Sequence, residues 1–227
     1  MESTEFPAAT GSAIDSRADD GIARLQSRAR NAGYAIFAFV AISAVFMVFE
    51  LLELGGIVDL ESVTPGPIEA IYGIVAILYT VIFIASVVLI AMWIYRAHAN
   101  LKERGIETES SPGWAVGWFF IPIANLFKPF QYMRELWNES HLEYDSYGEP
   151  APSEITAWWA CWILGNILAN VSLRMTSFGD GSNVTVGLVL SLASGGLLIG
   201  SALVLRGIIT AITRAQDGQL DASRVFD

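Results

Sequence analysis

Apolar residues in this chain gather into long runs, not into the alternation or the narrow helical stripe of a soluble fold. Gly33–Leu54 carries no charge before Glu50 and meets the roughly 20 residues that a helix needs to cross hydrocarbon. Gly55-Gly56 closes this run. A short acidic link through Asp59, Glu61 and Pro65-Gly66-Pro67 leads into Ile68–Tyr95, long enough to tilt in a bilayer. Two further runs of span length, Ile155–Arg174 and Val184–Leu205, flank a turn rich in Gly, Asp, Ser and Asn. The pattern predicts four transmembrane helices, at about 33–54, 68–95, 155–174 and 184–205, within a membrane domain over 31–210. Residues 1–30 are expected to form an N-terminal segment, flexible at its start, and 211–227 a short polar tail.

The stretch Ser111–Ser140, SPGWAVGWFFIPIANLFKPFQYMRELWNES, is too apolar for a water-filled loop and too broken for a span. Ser111 suits an N-cap, with Pro112 at the first helical position, where a missing N–H costs nothing. Trp114–Phe127 is apolar all round except at Asn125, yet as a helix it would reach only about 21 Å of the ~30 Å core. Pro122 breaks it from within, and Lys128-Pro129 ends its apolar part. Beyond that point Phe130, Met133 and Trp137 fall at i, i+3 and i+7, with Arg134, Glu135, Asn138 and Glu139 largely elsewhere. This predicts an amphipathic helix suited to a membrane surface. The expected fold is therefore all-α, a polytopic membrane helix bundle with four transmembrane helices plus a Pro-broken, re-entrant or interfacial helical hairpin at 112–140.

Charge gives this outline an orientation. With the hairpin re-entrant, 13 Lys and Arg divide so that only Arg174 lies on the outer side. If Trp114–Phe127 crossed fully, Arg206, Arg214 and Arg224 would move outside as well, so both termini are predicted to be cytoplasmic. A hydrophobic share of 53%, a charged share of 16% and a mean hydropathy of +0.48 exclude an ordinary soluble domain. The net charge of −10 would disfavour nucleic acid if it were spread evenly, but acids and bases are segregated along the chain and their positions matter more than their sum; no nucleic-acid partner is expected. The acidic N-terminus predicts no cleaved signal and no lipid anchor. Cys161, the single cysteine, allows neither an internal disulfide nor a cysteine metal site and is expected to be buried and inert.

Polar residues inside the runs are the remaining candidates for chemistry. Trp159, Trp162, Asn166, Asn170 and Arg174 share one helical face that must point into protein, to line a binding site or path or to bond across helices. Arg174 is expected to pair with Glu50, Glu53 or Glu69 at the outer rim. No ionisable group falls at mid-span, which argues against a proton relay or voltage sensor. Gly187, Ser191 and Gly195 lie on one face of the last run, and Gly196 and Gly200 on its neighbour. The first use expected for such small residues is packing within the bundle, with a homo-oligomer through Gly196 and Gly200 second. His98 and His141 are both expected at the cytoplasmic edge, too few and misplaced for a haem or metal site, so no cofactor is expected. Hydrolase, zinc-protease and phosphate-loop signatures are absent.

Three segments, YRAHANL at 95–101, SPGWAVGWFFIPIANLFKPFQYMRELWNES at 111–140 and AWWACWILGNIL at 157–168, together resemble the bacterial membrane family termed domain of unknown function 4328. The resemblance covers roughly Trp93 to Arg206 and implies a membrane protein, but no activity, ligand or catalytic residue. Some relatives carry a cytoplasmic zinc-ribbon module, which would imply sensing or scaffolding; this chain lacks the cysteines for one.

The expected function is that of a non-enzymatic accessory, scaffold or interaction module of a bacterial inner membrane. Its candidate residues are Trp114, Trp118, Pro122, Asn125, Pro129, Arg134, Glu135, Trp137, Trp159, Asn166 and Asn170, and its expected partners are membrane lipids and a membrane or cytoplasmic protein. A second expectation is a small transporter or channel that uses the break at Pro122/Asn125 with Asn166 and Asn170. A third is an enzyme acting on lipid head groups, with His98, His141 and Glu135 as its only conceivable acid–base set.

Overall fold

A computed structural model describes residues 9–60, 66–141, 152–177 and 183–226. The first eight residues, the links at 61–65 and 142–151, and most of the turn before Val184 lie outside the described residues, so the expectations placed on them are not addressed. Among the described residues the chain forms six α-helices: α1 (Ala9–Leu54), α2 (Pro67–Glu103), α3 (Pro112–Gly117), α4 (Lys128–His141), α5 (Ser153–Ser177) and α6 (Val184–Phe226). Two short 3₁₀ turns, Trp118–Phe120 and Ala124–Leu126, join α3 to α4. Four of the helices, α1, α2, α5 and α6, are long and apolar enough to cross a membrane, so the protein is an all-α membrane bundle.

All four long helices run beyond the predicted spans, α5 (Ser153–Ser177) only slightly and the other three by more. In α1 the buried residues Ile22, Leu25, Ala32, Ile36 and Phe39 recur at helical spacing, so one apolar stripe extends the helix well into the expected N-terminal segment. α6 does the same at the other end of the chain. The expected polar tail from 211 is helical to Phe226, because Ile208, Ile209, Ile212, Thr213 and Gln216 give it a buried face. α2 continues past Tyr95 to Glu103, although RAHANLKE is charged, and residues 96–101 are buried on every side.

Contacts divide the chain into two compact units. One comprises residues 31–90 and 150–209, the other residues 1–30, 91–149 and 210–227.

The 31–90/150–209 unit is the apolar bundle. Aromatic rings join α1 to α2, with centroid separations of 5.7 Å for Phe39–Tyr79, 5.4 Å for Phe46–Tyr79 and 5.2 Å for Phe46–Tyr72. Phe83 of α2 stacks on Trp162 of α5 at 6.5 Å and 9°. Small residues join α5 and α6. Ser194 Oγ donates to the Gly165 carbonyl at 2.9 Å, Ser201 Oγ to Trp158 O at 3.1 Å, and Ser172 Oγ to Gly187 O at 2.8 Å. A Cβ on Gly165 would come within 2.9 Å of Leu198, and one on Gly195 within 3.1 Å of Met47 Sδ. The outward side of α2 shows Ile71, Ile74, Ile77, Val81, Ile84 and Val88, all exposed, as suits a helix whose surroundings are lipid.

Candidate functional site

The 91–149 segment and its neighbours build a different kind of core, polar at its centre. Arg96 and Asn100 lie one turn apart on α2, and both are buried. Arg96 Nε donates to Asn100 Oδ1 at 2.6 Å, and its Nη2 pairs with Glu103. Asn100 Nδ2 donates to Gln216 Oε1 of α6 at 3.2 Å. Gln216, fully buried, donates in turn to the Ala97 carbonyl at 3.2 Å and to Ser140 Oγ of α4 at 2.9 Å. Its own carbonyl accepts from Arg104 Nη2 at 2.7 Å. One amide thus ties three helices together, and each of its polar atoms has a partner, as a buried network requires. α1 meets this knot at Gly21, where a Cβ would lie 2.8 Å from Arg96 Nη2 and 2.9 Å from Asn100 Oδ1. Beside the knot, Trp93 Nε1 donates to Thr213 Oγ1 at 3.1 Å, and Arg28 Nη1 to the Met92 carbonyl at 2.8 Å.

His98 is the exception in this core. It is 1% exposed, and neither ring nitrogen has a hydrogen-bond partner. It lies on α2 within residues 96–101, all of them buried. His98 is among the most deeply buried side chains of this unit.

Around this core runs the Pro-broken segment. Ser111 caps α3 as expected, accepting from Trp114 N at 3.4 Å, with Pro112 opening the helix. The helix stops at Gly117, and the chain turns through Pro122 with Ile123 at φ +70°, a conformation that costs a β-branched side chain. The turn satisfies its own backbone. Asn125 N donates to Ile121 O at 2.9 Å, Leu126 N to Ile123 O at 3.0 Å, and Phe127 N to Ala124 O at 3.1 Å. What it displays is apolar: Trp114, Phe120, Ile123, Leu126 and Phe127 are all exposed, Ile123 to 76%. Pro122 is exposed with them, while Asn125 is half-buried. Trp114 and Trp118 meet at 5.1 Å, and Lys128 Nζ lies 6.0 Å from the Trp118 ring centroid and 5.4 Å from that of Tyr132.

α4 follows, with Pro129 buried in its first turn, where it starts a helix as well as ending the apolar run. Its buried face is Pro129, Tyr132, Met133, Leu136 and Ser140, not the predicted stripe of Phe130, Met133 and Trp137. Phe130 and Trp137 are only half-buried, and Trp137 stacks on His141 at 4.4 Å. The reason is tertiary: Ser140 is fixed by Gln216, and the face that carries Ser140 turns inward. Arg134 is half-buried on this helix. Glu135 accepts from Glu109 N at 2.5 Å through one oxygen, while its other oxygen is covered and unpartnered. Burial, with Glu109 and Glu139 nearby, raises its pKa.

Among the candidates in the apolar bundle the two asparagines differ from expectation. Asn166 Nδ2 donates to Trp162 O and Asn170 Nδ2 to Asn166 O, both at 2.8 Å, so each amide bonds one turn back on its own helix and not across to another. An amide that reaches its i−4 carbonyl needs no second helix, and Asn170 stays exposed. Trp159 is buried and meets Trp158 at 5.1 Å. Glu50, buried near the end of α1, accepts a hydrogen bond from Ser191 of α6, while Arg174 lies exposed on α5. The Gly187–Ser191–Gly195 face is spent within the bundle, whereas a Cβ on Gly196 or Gly200 would meet nothing within 4 Å. Cys161 is half-buried and free.

Sequence reasoning passed over Arg96, Asn100, Gln216 and Gly21. A signal was present, since Gln216 follows Ile209 and Ile212 at helical spacing and so had to lie on an apolar face. Among the described residues no group of three or more His, Cys, Asp or Glu is placed to hold a metal ion.

No curated protein and no solved structure matches this chain. A family model described as Domain of unknown function (DUF4328) matches residues 66–214, from the start of α2 to the buried part of α6, and the chain belongs to that family.

Proposed function

We propose that this protein is a non-enzymatic accessory or scaffold module of a bacterial inner membrane, with both termini cytoplasmic and with segment 114–127 lying in the membrane interface as its working surface. The observation that carries this reading is the display of Trp114, Phe120, Ile123, Leu126 and Phe127 on a turn whose backbone is satisfied internally and strained at Ile123. The polar side chains of the same unit are turned to each other: Arg96, Asn100, Gln216 and Ser140 form one knot. The acid–base set that an enzyme would need is disfavoured by its placement. His98 is sealed, His141 Nδ1 engages the Trp137 carbonyl at 2.8 Å, and Glu135 is engaged by Glu109 N.

The test is a spin label at Ile123→Cys in a Cys161→Ser background, with the protein reconstituted in lipid, followed by affinity purification in detergent. A label at interfacial depth, and a co-purifying protein lost on Phe120→Asp with Ile123→Asp, are the expected results. A label as water-accessible as one on a soluble loop would overturn the interfacial reading. A small transporter is the second reading, on the strength of the helix break at Pro122. Under it, Asn166→Leu with Asn170→Leu abolishes flux, and full retention of a measured flux removes it.

A further inference from the structure

The turn that shows apolar side chains also holds a cation that no carboxylate neutralises among the described residues. Lys128 follows directly on the exposed Leu126 and Phe127, and its ammonium rests against the rings of Trp118 and Tyr132. Among the described residues no carboxylate pairs with it. The indole of Trp118, one of those two rings, has its N–H covered and without an acceptor. A covered donor left unsatisfied costs about 1–3 kcal/mol, and an indole N–H and an ammonium are both donors that a single acceptor group can serve. The aromatic contacts hold the cation on the turn instead of leaving it to swing free on a four-carbon stem.

A soluble anion would satisfy the donors but would leave Ile123, Leu126 and Phe127 in water. An amphiphile satisfies both halves at once. We propose that Lys128 and the Trp118 N–H form a head-group site for an anionic phospholipid, whose phosphate they hold while its chains lie along Ile123, Leu126 and Phe127. The inference rests on the interfacial reading of 114–127 and names the ligand of that surface. Tyr132 is a positioning residue, holding the ammonium through its ring face.

Native mass spectrometry of the full chain in micelles, with phosphatidylglycerol and phosphatidylcholine supplied in equal amounts, tests it. Wild-type protein is expected to retain phosphatidylglycerol in preference. Lys128→Gln should cut that preference about fivefold, the equivalent of about 1 kcal/mol for one basic residue at an anionic surface. Trp118→Phe, which keeps the ring but lacks the donor, should also reduce it, and Lys128→Arg should keep it. An unchanged preference in Lys128→Gln overturns the proposal, as does displacement of the lipid by inorganic phosphate, which would mark a site for soluble anions. The spin label at Ile123 is read on the same samples. An interfacial label with no lipid preference sinks the head-group site alone, and a water-exposed label sinks the interfacial reading beneath it.

Discussion

Asn100 on α2 donates a hydrogen bond to Gln216 on α6 at 3.2 Å, across 116 positions of sequence. Because Gln216 also donates to Ala97 O of α2 and to Ser140 Oγ of α4, its loss removes hydrogen bonds to both helices. Gln216→Leu is expected to destabilise the protein by about 2–4 kcal/mol, since buried donors and acceptors left unmade cost more than the bonds contribute. Thermal unfolding in detergent, compared with that of the exposed-site control Arg214→Gln, measures this. Equal melting temperatures would show that the knot is dispensable.

Ser191 gives Glu50 its hydrogen bond inside the apolar bundle. Ser191→Ala should therefore destabilise the bundle by about 1–3 kcal/mol, because a buried carboxyl loses its donor. In a Glu50→Leu background the same change should cost almost nothing. A double-mutant cycle with no coupling between the two positions refutes the pairing.

Gly165 sits where a Cβ would meet Leu198 at 2.9 Å. Gly165→Val should force α5 and α6 apart and weaken the Ser194 bond to the Gly165 carbonyl, at a cost of about 1–3 kcal/mol. Leu198→Ala, which frees the space, should recover part of the loss. Failure of that rescue, read as an unfolding midpoint, would remove close packing as the cause.

Much of the architecture was legible because it depends on residues close in sequence. Four apolar runs of span length had to become helices, since a bilayer leaves backbone groups no other partner. Pro122 had to break its helix, and Ser111 with Pro112 had to start one. The face that α4 buries was not legible, because both the Phe130–Trp137 stripe and the Pro129–Ser140 stripe fit its spacing and the choice depends on partners distant in sequence, Gln216 among them.

The sequence by itself determined that this is a membrane protein and where its helices begin, break and change from apolar to charged. Tertiary structure decided what the charged ends are for. RAHANLKE is too charged to lie in lipid, and where α1, α4 and the end of α6 close around it Arg96, Asn100 and Gln216 become a core and His98 a buried ring. The physical reason is range: hydrophobic length is a property of consecutive residues, whereas a buried polar group is tolerated only if a partner from a distant helix arrives to meet it.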